Sequence, residues 1–155
     1  MAKEIYAMNY WMHVISPENY QLTKQNGFTI QGFRLANRKK VDRMAPGDRM
    51  LFYVDRHRRF SCTASITSHS FSDHRRIWQW VRDEEDFSNR VFMRPNVVLN
   101  SEFHVDAEQL APRLDYVKRW VPEWWPLAFQ GNLHLLPKTD FHLIESEMKR
   151  AKIKN

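Results

Sequence analysis

Apolar runs alternate with short polar punctuation along this chain, and the period of each run sets the element it predicts. Tyr10 to Ile15 is a six-residue run with the length and character of a buried strand. Ser16, Pro17 and Glu18 follow as an N-cap, a proline at the first helical position and an acid in the first turn, so a short helix is predicted there. Asn26 and Gly27 stop it, because glycine takes the left-handed conformation without steric penalty. The basic stretch Arg34 to Arg43 leads to Pro46, Gly47 and Asp48, a turn signal set directly before the predicted strand Arg49 to Val54, with Asp55 to Arg59 as a hairpin loop.

Phe60 to Ser68 carries apolar residues at alternate positions, and a second long strand is predicted from Arg90 to Leu99, with Pro95 marking a bend or an edge. The connection between them holds Trp78, Trp80 and the acidic run Asp83 to Asp86, which reads as a solvated loop. Asp106 is placed to cap a short helix through Leu110 that Pro112 limits. Leu133 to Leu136 reads as a last strand. From Pro137 onward Phe141, Ile144 and Met148 recur at helical spacing, predicting an amphipathic helix that frays into the basic tail Lys149 to Lys154. Short strands joined by turns, with a few short helices between them, predict an α+β fold: a small closed or nearly closed β-barrel flanked by short helices.

At 155 residues the chain has the size of one domain, and no repeat or linker divides it, so residues 1–155 are read as a single unit with its core at about 9–148. Its apolar fraction of 43% is too high for disorder. No apolar run approaches the roughly 20 residues of a membrane span, and Met1 to Asn9 carries Lys3 and Glu4 without an apolar signal core. The expected location is therefore cytoplasmic, away from membranes. Cys62 is the only cysteine; it shares parity with Ala64 and Ile66 and is expected to be an inert core thiol. The seven histidines, with His69 and His74 the closest pair in sequence, form no HExxH pattern, and no phosphate-binding glycine loop or GxSxG elbow is present, so no metal and no cofactor is expected. The net charge of +6 describes a surface that attracts polyanions, nucleic acid foremost.

Three segments narrow this further. They are YWMHVISPENY at Tyr10 to Tyr20, leading to Gly27 and Phe28; RMAPGDRMLFYV at Arg43 to Val54; and YVKRWVPEWWPLAFQGNLHLLPKTDFHLIE at Tyr116 to Glu145. In this order and spacing they resemble the EVE domain, a member of the PUA-like group related to the YTH readers of methylated adenine. The resemblance spans nearly the whole chain. It implies a PUA-like β-barrel whose cleft accommodates a flipped-out modified base, and hence a non-enzymatic partner of DNA or RNA.

A flipped base loses stacking that aromatic side chains offset at about 1–3 kcal/mol each. Trp125 sits at the family's closing tryptophan, Phe28 occupies the place of one cleft wall, and Trp78 lies in the connection resembling a second wall. Ser16 and Asn19, at the strand-to-helix junction, offer hydroxyl and amide groups to a base edge, with Thr29 and Gln31 on the following loop as further polar candidates. Ser16 is equally a natural helix cap, and Trp125 a natural core filler. Arg34, Arg38, Lys39, Lys40, Arg56, Arg58 and Arg59 flank the Pro46 to Val54 turn and strand and are expected to form a phosphate-tracking rim. Two other functions fit the same residues: a PUA-like nuclease or base-modifying enzyme, and an adaptor that docks on protein through its tryptophans.

Overall fold

The computed structural model describes residues 7–79 and 86–153. The readings made above for Trp80, for the acidic residues 83–85, for Lys3 and Glu4, and for Lys154 lie outside the described residues. The strands β1 (Tyr10–Ile15), β2 (Ile30–Phe33), β3 (Arg49–Val54), β4 (Arg59–Ile66), β5 (Phe71–Ser72), β6 (Asn89–Val98), β7 (Val105–Asp106) and β8 (Leu133–Leu135) alternate with the helices α1 (Pro17–Gln25), α2 (Arg38–Val41), α3 (Ala107–Leu110) and α4 (Lys138–Ile153). The sheet runs β2-β6-β4-β3-β1-β8 and curls into a half-barrel, with β5 paired to β6 and β7 to β4. This is the α+β architecture that the sequence predicts, a barrel-like sheet flanked by helices.

β1 and β3 pair in parallel from Tyr10 opposite Arg49 to Ile15 opposite Val54. A parallel pair needs a long crossover, and α1, β2 and α2 supply it. Ser16 caps α1 as expected, its hydroxyl accepting from the Asn19 N–H at 3.1 Å. The helix ends with Gly27 and Phe28 both at positive φ, 69° and 56°.

β1 partitions the interior. Tyr10, Met12 and Val14 face a cluster closed by Phe141, Ile144 and Met148 of α4, while Trp11 and Ile15 face a cluster with Tyr20, Phe28, Phe52 and Met50. The alternation expected in β4 breaks once. A bulge pairs Phe52 with Cys62 but Tyr53 with Phe60, so Phe60 joins the α4 side while Cys62, Ala64 and Ile66 stay on the other. Cys62 is fully buried, and that burial pushes its thiol up to about 12, in keeping with an inert role.

The Pro-Gly-Asp turn acts through Asp48. Gly47 takes φ 98°, and the buried Asp48 carboxylate accepts from the Trp11 indole N–H at 3.0 Å and from the backbone N–H groups of Asn9 and Ala45 at 3.1 and 3.2 Å. On the opposite side, Glu145 of α4 accepts from Thr63 at 2.7 Å and pairs with Arg49, which docks the helix on β3 and β4. Among the described residues no helix is long and apolar enough to cross a membrane.

Two expectations change. Ile30 to Phe33, read above as loop around Gln31, is a strand, because its pairing with β6 outweighs the low strand propensity of Gly32. The stretch from Ala111 to Phe129, largely unassigned above, is a chain of short 3-10 turns, whose three-residue periods leave no amphipathic pattern to read.

Candidate nucleic-acid interface

At the end of β1, where the chain turns into α1, a recess of about 30 Å³ opens between β1, β2 and the turn before β8. Ser16, Asn19, Gln31 and Arg34 line it together with His13, Phe87 and Asn132. It adjoins a basin of about 640 Å³, and Val14, Arg34 and Asn132 border both. Arg56 and Arg58 of the β3–β4 turn stand on the basin's far side, Tyr53, Pro126 and Phe129 give it apolar surface, and Asp55 is its one lining acid. The turn holds both arginines outward by left-handed backbone, at φ 65° and 53°.

Charge at the mouth is positive. Arg56 pairs with Glu18 across exposed surface, an interaction worth little in water. Neither Arg34 nor Arg58 has a carboxylate within ion-pair reach among the described residues, and Arg58 lies over the Trp125 ring at 5.7 Å.

His13 is the polar member of the deep wall. Its Nδ1–H donates to the Asn132 carbonyl at 3.1 Å, the same oxygen that accepts from the Val14 N–H at 2.8 Å. Because a carbonyl only accepts, Nε2 carries no proton in the neutral ring and is an acceptor. Burial, with the nearby Arg34 charge acting in the same direction, lowers the His13 pKa to about 4 despite the opposing effect of the Asn132 bond.

Asn19 ties α1 to the segment at Gln79. Its amide oxygen accepts from the Gln79 N–H at 2.8 Å and its amide nitrogen donates to the Gln79 carbonyl at 3.2 Å. One side chain thus reads a donor and an acceptor side by side. Gln31, in contrast, is committed inside the fold. The Trp78 indole N–H donates to Thr23 Oγ1 at 2.8 Å, Thr23 donates to Gln31 Oε1 at 2.7 Å, and Gln31 donates to the Gly32 carbonyl at 2.9 Å.

The structure therefore gathers Ser16, Asn19, Gln31, Arg34, Arg56 and Arg58 and places the other expected residues elsewhere. Phe28 is buried beneath α1 against Tyr20 and Phe52. Thr29 is exposed and donates to the Asn26 carbonyl at 2.7 Å, closing the helix end. Trp78 is fully buried beside Phe87, with the Arg90 guanidinium 5.0 Å from its ring. Trp125 is buried in the core against Phe129, with Arg58 5.7 Å from its ring, and borders only a separate cleft. Arg38 and Lys39 are exposed on α2, Lys40 donates to the Leu133 carbonyl at 2.8 Å, and Arg59 turns away to donate to the His104 carbonyl.

Sequence reading passed over His13, Tyr53, Phe129 and Asn132. A histidine inside an otherwise apolar-flanked strand was a visible signal for the first. The others are ordinary strand and turn residues whose meeting depends on the parallel β1–β3 pairing.

The model of the EVE domain matches residues 9–145. A UPF0310 protein of Pyrococcus abyssi is 24% identical over 148 residues, covering 90% of this chain and 99% of its own. Among solved structures, a hypothetical protein from Leishmania major superposes with a TM-score of 0.66 at 14% identity, over 94% of this chain and 98% of that one. The YTH domain of the MRB1 protein from Zygosaccharomyces rouxii, in complex with N6-methyladenosine RNA, gives a TM-score of 0.61 at 16% identity, over 90% of this chain and 86% of that one. These similarities establish the shared fold.

Proposed function

Because the chain belongs to the EVE domain family, we propose that it binds nucleic acid without catalysing a reaction and reads a single modified base at the recess beside His13. The observation that carries this reading is the juxtaposition of a polar recess and an arginine-lined basin that share Val14, Arg34 and Asn132. Backbone phosphates attract the guanidinium groups of Arg34, Arg56 and Arg58, and this positions a strand without reading its sequence. Base reading falls to the recess: His13 Nε2 accepts, the Ser16 hydroxyl donates, and Asn19 does both. A neighbour with the same fold is bound to N6-methyladenosine RNA, which supports a modified base as the ligand here.

At about 30 Å³ the recess as it stands admits about two waters. A base therefore enters by displacing part of the wall. Asn19 makes that exchange inexpensive, since the donor and acceptor it gives to the Gln79 peptide are those a base edge requires. Displacing the peptide leaves no polar group of Asn19 unsatisfied once the base is in place.

The test is an equilibrium titration with oligonucleotides that differ only by methylation of one base. Tighter binding of one methylated form is expected. Equal binding of all forms, set by salt alone, would leave a phosphate binder and overturn the reading of a base.

A further inference from the structure

Past Arg58 the surface carries a second hollow, a cleft of about 210 Å³ between the 3-10 turns at Ala111–Val117 and Pro122–Phe129. Trp120 and Trp125 line it with Pro112, Pro122 and Val117, and Lys118 stands at its edge. Its volume is below the roughly 300–1,000 Å³ of sites for drug-sized ligands, so it suits one flat ring system and not a helix.

The cleft and the basin share their partition. Pro126 and Phe129 face the basin, while Pro122 and Trp125, from the same eight-residue turn, face the cleft. Arg58 lines the basin and sits 5.7 Å from the centre of the Trp125 ring. The Pro122–Phe129 turn therefore lies between the two hollows, with Trp125 mostly buried against Phe129 on the cleft side and one guanidinium near the crossing. The positive charge along this path, from Arg34 through Arg56 and Arg58 to Lys118, has the character of a phosphate track, although Lys118 also pairs with Asp115 at 2.8 Å.

We propose that the cleft beside the half-buried Trp120, floored by the edge of the buried Trp125, is a stacking subsite for a nucleobase flanking the one presented at the recess, with Arg58 holding a phosphate between them. The inference rests on the nucleic-acid reading above and adds to it the ligand's form: single-stranded, and at least two nucleotides long. A neighbouring base paired in a duplex stays in its stack and leaves the cleft empty. Tryptophan faces suit any base, so the subsite adds affinity without adding sequence preference.

The experiment measures affinity for short single-stranded oligonucleotides by tryptophan fluorescence, comparing an intact flanking nucleotide with an abasic one that keeps sugar and phosphate. The intact ligand binds about fivefold tighter or more, with quenching. Trp120→Leu reduces that ratio to about one while leaving affinity for the abasic ligand unchanged. Equal binding of intact and abasic ligands by the native protein overturns the subsite, and because that comparison needs no variant, it stands even if Trp120→Leu fails to fold. Quenching by a proline-rich peptide that oligonucleotides do not displace also overturns it, in favour of a protein partner. Absence of binding to any oligonucleotide is a different failure, one that removes the nucleic-acid reading and the subsite with it.

Discussion

His13 ties the stability of the fold to the chemistry of the recess. Its pKa in the folded protein, about 4, lies below the ordinary 6.5, so the unfolded chain takes up the proton first as pH falls. The neutral ring's contribution is fully present above pH 6.5 and is lost between there and pH 4. The loss amounts to about 3 kcal/mol. Urea unfolding followed from pH 7 to pH 4 should show this decline in the native protein and a shallower one in His13→Gln, which cannot charge; parallel pH profiles would remove His13 as the cause. Asp48 is the second residue on which much depends. Asp48→Ala leaves the Trp11 indole and two backbone N–H groups without their acceptor, and a destabilisation of about 3 kcal/mol is expected in the same unfolding assay.

At the level of elements, the wall of the recess is set by how closely β2 approaches the segment that covers it. A Cβ on Gly32 would stand 2.3 Å from the Phe87 carbonyl oxygen and 2.6 Å from the Trp78 ring. Backbone cannot yield that distance, so Gly32→Ala must push Phe87 and Trp78 outward. Faster hydrogen exchange at Gln79 and Ser88, with the β1–β3 ladder unchanged, is the expected result, and unchanged exchange would show that the covering is not held by this contact. The same elements show what could be read in advance. β1, β3 and the start of α1 were legible because period, cap and turn residues all act locally. β2 was not, because its short run has no alternation and owes its state to β6. The aromatic candidates fared unevenly for a related reason. Residue type marks Phe28, Trp78 and Trp125 as able to stack on a base, but only tertiary packing decides that all three are spent on the interior, with just an edge of the third bordering another hollow.

For the molecule as a whole, the curled sheet brings distant arginines to one side. Arg34 follows β2, while Arg56 and Arg58 sit in the turn between β3 and β4, and both groups reach the basin because β1 lies between β3 and β8 in the sheet. The net charge of +6 announced a polyanion partner but not its place, since Arg38, Lys39, Lys40 and Arg59 look equivalent in sequence and point elsewhere. The decisive experiment is the salt dependence of binding to a single-stranded oligonucleotide, compared between the native protein and the double variant Arg34→Gln, Arg58→Gln. With about 0.7 unit of slope per phosphate contact in single strands, the log–log slope should become shallower by roughly 1.4 in the variant. An unchanged slope would place the phosphates on some other face and contradict the basin as the interface.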